Sequence, residues 1–390
     1  MTEVQKISGS TTQGRNSNLE LLRIILMLLI VAHHFVVNSG ITEVYDLKGS
    51  PVNTLFLELW GMWGKTAINV FVLISGYFMC TSKLTWKRFL KIVMEVKFYH
   101  IVMFSILLVM GYEIFSFKRL FIIIFKNLNG VESGFTPSFL AFYLFIPFYN
   151  IVVEKLEKKK LLQLIGLLLL LFTVTATFFF NHNVFHHVGW YMTLYFIAAY
   201  IRLYPAWWMK SSRFTGIGLI VSVLLGYLSV LGIELFNYIF NKGFRSYYFV
   251  ADSNKILALV ISVFAFLWFN NLKIQQSKFI NGIASTTFGV LLIHANSDAM
   301  RTFLWNDLLN VPGMFEYSIW KLVLCAVLSA VGIFAVCSAI DYIRICVIEK
   351  PLFRWIGKNE DKITSVCKML IDKISHFIKI IENKLKKYCC

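Results

Sequence analysis

Long apolar stretches separated by short polar loops run along most of the chain. A helix needs about 20 residues to cross the ~30 Å hydrocarbon core of a bilayer, so each stretch of that length predicts one membrane-spanning helix. Ten spans are predicted, at residues 19–37, 62–80, 92–113, 137–153, 161–180, 187–204, 215–240, 255–271, 280–300 and 318–346. The run 120–125 is too short to cross and is interpreted as a re-entrant or interfacial piece.

This pattern predicts an all-α fold, a polytopic transmembrane bundle of about ten spans. Composition agrees, because 58% of the residues are hydrophobic and only 15% are charged, whereas soluble domains carry roughly 25% charged residues. Three regions are predicted: a polar cytoplasmic N-terminus at 1–18, a transmembrane domain at 19–348 and a cationic tail at 349–390. The polar start of the chain does not fit a secretory signal.

Lysine and arginine concentrate in alternate loops, namely those after the second, fourth, sixth and eighth spans. The loops after the third and seventh spans are exceptions. By the positive-inside rule both termini are cytoplasmic, in a multi-pass protein of the cell membrane. The net charge of +17 therefore requires no nucleic-acid partner.

The tail carries an apolar stripe beside a lysine-rich face, with hydrophobic residues at three- and four-residue steps. The stripe consists of Ile363, Val366, Leu370, Ile374, Phe377, Ile381 and Leu385. An amphipathic helix lying on the anionic lipids of the cytoplasmic leaflet is predicted, with self-association as the alternative.

Two ionisable residues interrupt the first apolar stretch, Arg23 and His34. Eleven steps of ~100° return to nearly the same azimuth, so both lie on one helix face, about 16 Å apart along the axis. The second span runs the opposite way and brings Ser75 and Gly76 near the level of Arg23. The ninth span brings His294 near the level of His34, and the polar residues therefore form two layers.

These layers suit a reaction between a cytosolic donor and an external acceptor. A guanidinium can hold a phosphate or carbonyl oxygen with two parallel hydrogen bonds, and a neutral histidine can take a proton from an attacking hydroxyl. Glu349 would lie at the depth of Arg23 and could pair with it. The alternatives are an interfacial arginine, a structural histidine, close packing at Ser75 and Gly76, and an ordinary helix end at Glu349.

Metal and disulfide chemistry are weakly indicated. His182 and His186 have a metal-compatible spacing, but the glutamate of a HExxH site is missing, and no metal is predicted. None of the seven cysteines lies in a predicted outer loop, so no disulfide framework follows.

Four segments resemble signatures of the acyltransferase-3 family of integral membrane acyltransferases. They are Leu19–Arg23 continuing to His34, which is similar to an Arg-x10-His signature, and then Phe71–Tyr77, Ser285–His294 and Ile348–Leu352. Their order and spacing span residues 18–356. Val72 departs from a phenylalanine in the pattern, and His33 lies beside His34, although the helix face shared with Arg23 selects His34 as the acting histidine.

The resemblance implies transfer of an acyl group, usually acetyl from acetyl-CoA, to a hydroxyl of a cell-surface polysaccharide or its lipid-linked precursor. The stretch Trp190–Arg202 is similar to members that act in capsule or exopolysaccharide synthesis, whose proteins are possible partners. We assign catalysis to His34, Arg23 and His294, substrate binding to Ser75, Gly76, Tyr77 and Glu349, and contact with the donor to Arg23 and Ser75.

Two other classes fit the same polar track: a transporter or flippase for a glycan intermediate, and a noncatalytic partner in a polysaccharide-synthesis complex. A transporter often has inverted repeats and broken helices near the midplane, and the sequence predicts neither.

Overall fold

The computed structural model describes residues 16–129, 134–179, 186–359 and 369, without the side chains of 124–129. Every regular element in these residues is helical. The helices are α1 (Ser17–Val37), α2 (Pro51–Gly61), α3 (Gly64–Met79), α4 (Trp86–Val109), α5 (Phe117–Asn129), α6 (Phe135–Lys155), α7 (Lys158–Leu169), α8 (Thr175–Phe178), α9 (His187–Leu203), α10 (Ser212–Phe240), α11 (Ile256–Asn271), α12 (Lys278–Ala284), α13 (Thr287–His294), α14 (Asp298–Arg301), α15 (Ile319–Arg344) and α16 (Lys350–Lys358).

Six helical stretches are long and apolar enough to cross a membrane: Ser17–Val37, Trp86–Val109, Phe135–Lys155, Lys158–Phe178, Ser212–Phe240 and Ile319–Lys358. α3, α9 and α11 also occupy predicted spans but have only 16, 17 and 16 residues. α10 exposes apolar side chains such as Ile217, Ile220 and Leu228, as a lipid-facing helix does. The chain is thus a multi-pass membrane protein, and the count of ten crossings stays a prediction.

The predicted span at 280–300 is broken, which corrects the sequence-based expectation of one continuous helix and of no broken helices. α12 ends at Ala284 and α13 begins at Thr287. The hydroxyls of Ser285, Thr286 and Thr287 each donate to the carbonyl oxygen three residues earlier, at 2.6, 2.7 and 2.9 Å. Hydroxyl groups that bond to the backbone in this way compete with the helical hydrogen bonds. The piece predicted at 120–125 belongs to α5, which has 13 residues.

Two compact units divide the chain, residues 1–338 and 339–390. In the first, α3 lies at the centre and packs against α1, α9 and α11, with Val70, Val72 and Leu73 fully buried. A buried amide fixes α3: Asn69 donates to the Ser253 carbonyl oxygen at 2.6 Å and accepts from the Trp190 indole at 2.9 Å. α3 therefore presents its remaining face to α1.

In the second unit a buried ion triad joins Asp341, Arg344 and Glu349. Arg344 Nε lies 2.6 Å from Asp341 Oδ1, and Arg344 Nη1 lies 2.9 Å from Glu349 Oε2. The two carboxylates compensate the guanidinium in an otherwise apolar helix. The predicted tail stripe at 363–385 lies outside the described residues.

A buried carboxyl, that of Glu58, also lies in the first unit, outside the predicted spans. Glu58 of α2 accepts a hydrogen bond from Ser246 Oγ at 2.6 Å. The pKa of Glu58 is raised to about 8, chiefly by burial; the Ser246 hydroxyl opposes the rise and the neighbouring Glu234 adds to it. The carboxyl is therefore mostly protonated at neutral pH.

Candidate active site

A cavity of about 1390 Å³ lies inside the first unit. Residues of α1, α3, α4, α5, α6, α13 and α14 line it. From α1 the lining includes Arg23, Met27, Ile30, His33 and His34, at the three- and four-residue steps of one helix face. The predicted common face of Arg23 and His34 is therefore the face that α1 turns to the cavity. We call the part of the cavity next to Arg23 the Arg23 end and the part next to His34 the His34 end.

The register between α1 and α3 sets which residues share a level. His33 Nδ1 donates to the Gly61 carbonyl oxygen, and a Cβ on Gly64 would lie 2.3 Å from ring atoms of His33. A Cβ on Gly61 would likewise meet Val36 at 2.9 Å. The two segments therefore run antiparallel in close contact, which places Lys65 at the His34 end.

The same register places Ser75 at the Arg23 end, as the sequence predicted. Ser75 lines the cavity, and its hydroxyl donates to the Phe71 carbonyl oxygen at 2.9 Å. The oxygen keeps its capacity to accept a hydrogen bond from a ligand.

Two histidines meet at the His34 end. His34 Nδ1 lies 2.9 Å from His294 Nε2, and His294 Nδ1 lies 2.6 Å from the Val290 carbonyl oxygen. A carbonyl can only accept, so His294 carries its proton on Nδ1 and its Nε2 accepts from His34 Nδ1–H. In this neutral arrangement His34 Nε2 has a free lone pair.

His294 is fully buried and lies behind His34, outside the cavity lining. Its position fits a residue that orients His34. His33 also lines the cavity, with its Nδ1 bound to Gly61 and its ring centroid 5.7 Å from that of His34. Of the two adjacent histidines, only His34 forms a hydrogen bond with another histidine in the described residues.

Basic side chains surround the Arg23 end. Arg23 Nη1 lies 3.2 Å from Glu20 Oε1, and the arginine side chain remains 25% exposed beside a nearly buried glutamate. Arg88 and Lys91, from the first turns of α4, line the same cavity. Guanidinium and ammonium groups together have the chemistry that can bind a phosphate.

The lining away from α1 carries two cation–carboxylate pairs. Arg301 Nη1 lies 2.8 Å from Asp298 Oδ1, and the Arg119 guanidinium contacts Glu113. Tyr112 donates to Asp307 Oδ2 at 2.7 Å, and this hydrogen bond, with a smaller effect of burial, raises the pKa of the phenol.

Gly76 and Tyr77 do not lie with Ser75 at the cavity. A Cβ on Gly76 would meet Tyr195 Cα and Ala198 Cβ at 3.1 Å, so this glycine serves the packing of α3 on α9. Tyr77 accepts a hydrogen bond from Arg202 at 2.9 Å. The reason is helical geometry: the cavity-facing positions of α3 include Gly64, Ile68, Phe71 and Ser75, and the next two residues turn away.

Glu349 belongs to the second unit, where it accepts from Arg344. The predicted pairing of Glu349 with Arg23 involves one residue from each unit, and it stays a prediction.

Lys65 and Asn38 are lining residues that the sequence argument missed. An ionisable residue within a predicted span is the signal that singled out Arg23, and the same signal marks Lys65 in the span 62–80. Asn38 follows the last residue of α1 and gives no comparable signal.

No cluster of three or more metal-ligating side chains occurs among the described residues. His186 precedes α9 at its N-cap, whereas His182 lies outside the described part of the chain.

Comparison with known proteins gives one finding. A family model for an acyltransferase domain, that of the acyltransferase-3 family, matches residues 16–342. No curated protein and no solved structure matches the chain. The match covers well over half of the sequence and includes every cavity-lining residue. The chain therefore belongs to the acyltransferase-3 family of membrane acyltransferases.

Proposed function

We propose that the protein transfers an acyl group, acetyl in the first instance, from cytosolic acyl-CoA to a hydroxyl of a cell-surface polysaccharide or its lipid-linked precursor. The observation that carries the proposal is that Arg23 and His34 line one cavity, with His294 bonded to His34 behind the lining. With both termini cytoplasmic in the cell membrane, the Arg23 end faces the donor and the His34 end faces the acceptor.

Donor binding is assigned to the Arg23 end. Phosphate oxygens of CoA accept hydrogen bonds from Arg23 and ion-pair with Arg88 and Lys91, while Ser75 contacts the thin arm that leads to the thioester. About 16 Å along α1 separates Arg23 from His34, so the arm must lie along the cavity for the acyl carbon to reach the histidine.

Chemistry is assigned to His34. Its Nε2 takes the proton of the acceptor hydroxyl while the hydroxyl oxygen attacks the thioester carbonyl carbon. The carbon–sulfur bond of the tetrahedral intermediate then breaks, and the imidazolium returns the proton to the departing thiolate. An ester and free CoA are the products.

His294 acts in this scheme as a positioning residue. Its hydrogen bond holds the proton of His34 on Nδ1, so that Nε2 is the basic atom. Gly64 supports the same geometry, since only a residue without a side chain leaves room for His33 next to it.

The experiment uses purified protein in liposomes with acetyl-labelled acetyl-CoA and isolated surface polysaccharide, followed by proton NMR of the product. Transfer is expected with the native chain and is expected to fall about 10²- to 10⁴-fold in His34→Ala, the usual contribution of a general base. His33→Ala tests the neighbouring histidine and should retain more activity than His34→Ala. Full activity of His34→Ala in properly inserted protein would refute the assignment.

A further inference from the structure

The His34 end of the cavity contains more hydrogen-bond donors than the protein satisfies. Lys65 lines the cavity, and within the described residues no ion pair or hydrogen bond involves its ammonium group. Asn38, the residue that caps α1 one turn beyond His34, also lines it, and its buried Nδ2 has no hydrogen-bond partner in the part of the chain that the structure describes. The buried Nε of Arg301 likewise has no partner among the described residues, although Nη1 binds Asp298.

Unsatisfied buried donors are rare in folded proteins, because each costs about 1–3 kcal/mol when it loses water without gaining an acceptor. Two such donors, Asn38 Nδ2 and Arg301 Nε, lie with the Lys65 ammonium on the lining of one cavity, and this indicates that the missing acceptors come from a ligand. A lysine is particularly informative, since a cation inside a membrane bundle is normally paired.

Carboxylates of the protein do not fill this role. Three carboxylates line the cavity: Asp298 is paired with Arg301, Glu113 with Arg119, and Glu95 lies on α4 one turn after Lys91. Asp252 acts electrostatically on Lys65, and neither an ion pair nor a hydrogen bond joins the two residues in the described structure. Among the described residues, no carboxylate therefore pairs with the Lys65 ammonium at the His34 end.

We propose that Lys65, with Asn38 and Arg301, forms an anion-binding site for the acceptor, so that the preferred acceptor carries a phosphate or carboxylate close to the hydroxyl that is acylated. That the bound anion belongs to the acceptor rests on the proposed function, whereas the anion site itself rests on the three donors. Both anion types supply the negatively charged oxygens that these donors require.

The anion site and the donor site lie at opposite ends of the cavity. Phosphates of the donor belong at the Arg23 end with Arg88, whereas Lys65 follows Gly64, which contacts His33. An anion at Lys65 therefore lies beside the reacting hydroxyl, and its binding is expected to be independent of Arg88.

The test measures binding and transfer on the same liposome-reconstituted protein. The probes are methyl glucoside, methyl glucuronide and glucose 1-phosphate, which offer a neutral sugar, a carboxylate and a phosphate. Binding is read from the thermal midpoint, and transfer from label moved out of acetyl-CoA. The variants are Lys65→Met, Lys65→Arg, Arg88→Met and, as a matched control, Lys48→Met, an exposed lysine that donates to Asn241 at 3.2 Å away from the cavity lining.

The native chain is expected to bind at least one anionic probe roughly tenfold or more tightly than the neutral sugar, the effect of one charge-assisted hydrogen bond. Lys65→Met should abolish this preference and Lys65→Arg should keep most of it, while Arg88→Met and Lys48→Met leave it intact. The more effective probe tells whether the anion is a phosphate or a carboxylate.

Equal binding of all three probes by the native chain, or an unchanged preference in Lys65→Met, would overturn the proposal. An equal loss of transfer to neutral and anionic sugars in Lys65→Met would also overturn it and assign the lysine to the oxyanion of the intermediate. Anion preference without any acyl transfer would instead leave the site standing and refute the proposed function.

Discussion

Replacement of His294 tests the central geometry of the site. His294→Leu removes the acceptor for His34 Nδ1–H, while His294→Gln keeps a side-chain oxygen that can reach the position of Nε2. The leucine and glutamine side chains differ little in size, and both variants lose the hydrogen bond from the His294 imidazole to the Val290 carbonyl oxygen. They therefore isolate the contact with His34.

The expected magnitude follows from that one hydrogen bond. A buried donor left without its partner costs about 1–3 kcal/mol, and His34 can avoid the cost by moving its proton to Nε2, where it blocks the base. At about 1.36 kcal/mol per factor of ten, kcat should fall roughly 10- to 100-fold in His294→Leu. The KM for the donor should stay within about twofold, since the Arg23 end lies about 16 Å away along α1.

The assay is steady-state transfer from labelled acetyl-CoA by protein in liposomes, with the thermal midpoint of each variant as a check on folding. His294→Gln should recover most of kcat. Equal kcat in the Leu and Gln variants at equal stability, or a change confined to KM, would refute the role of His294 in holding the proton of His34.

Three further outcomes are expected. Arg23→Lys should raise the donor KM about tenfold with a smaller effect on kcat, because an ammonium lacks the planar fork that holds a phosphate with two bonds, and KM and kcat from the same assay check it. Gly64→Ala should lower the stability by about 1–3 kcal/mol and reduce transfer, because its Cβ would lie 2.3 Å from the His33 ring, whereas Gly232→Ala, with nothing within 4 Å, should be neutral in stability. Glu58, with a folded-state pKa of about 8 against an ordinary value of 4.5, stabilises the fold fully below pH 4.5 and loses that contribution as the pH rises to 8. Glu58→Gln should therefore show a smaller fall of the thermal midpoint between pH 5 and pH 8.5 than the native chain, and an equal fall would contradict the burial argument.

Hydropathy predicted helix positions well, since nine of the ten predicted spans coincide with helices or helical stretches of similar limits. Hydropathy failed at 280–300 because the helix break there does not come from a loss of apolar residues. Ser285, Thr286 and Thr287 remain in a hydrophobic window, yet their hydroxyls bond to carbonyl oxygens of the preceding turn. Such local hydrogen bonds leave no trace in a hydropathy average.

The candidate site was predictable where one helix supplies its residues. The angle between Arg23 and His34 follows from helical periodicity alone, and the structure places both on one cavity. The segment Phe71–Tyr77 shows the limit: its last three residues are contiguous in sequence, but Ser75 lines the cavity, Gly76 packs on α9 and Tyr77 binds Arg202. A contiguous motif on a helix divides among several neighbours because each residue turns by ~100°.

The separation of the two ends constrains the donor as strongly as their charges do. The residues proposed to bind phosphate and His34 lie on opposite parts of one cavity, and about 16 Å of α1 separates Arg23 from the histidine. A compact activated acyl compound, in which phosphate and acyl carbon are adjacent, cannot engage both ends at once. An extended carrier can, because its anionic part stays at Arg23 while the thioester reaches His34. Under the proposed function the geometry therefore favours a donor such as acyl-CoA, whose acyl group would cross the bundle while the carrier stays bound at the side from which it entered.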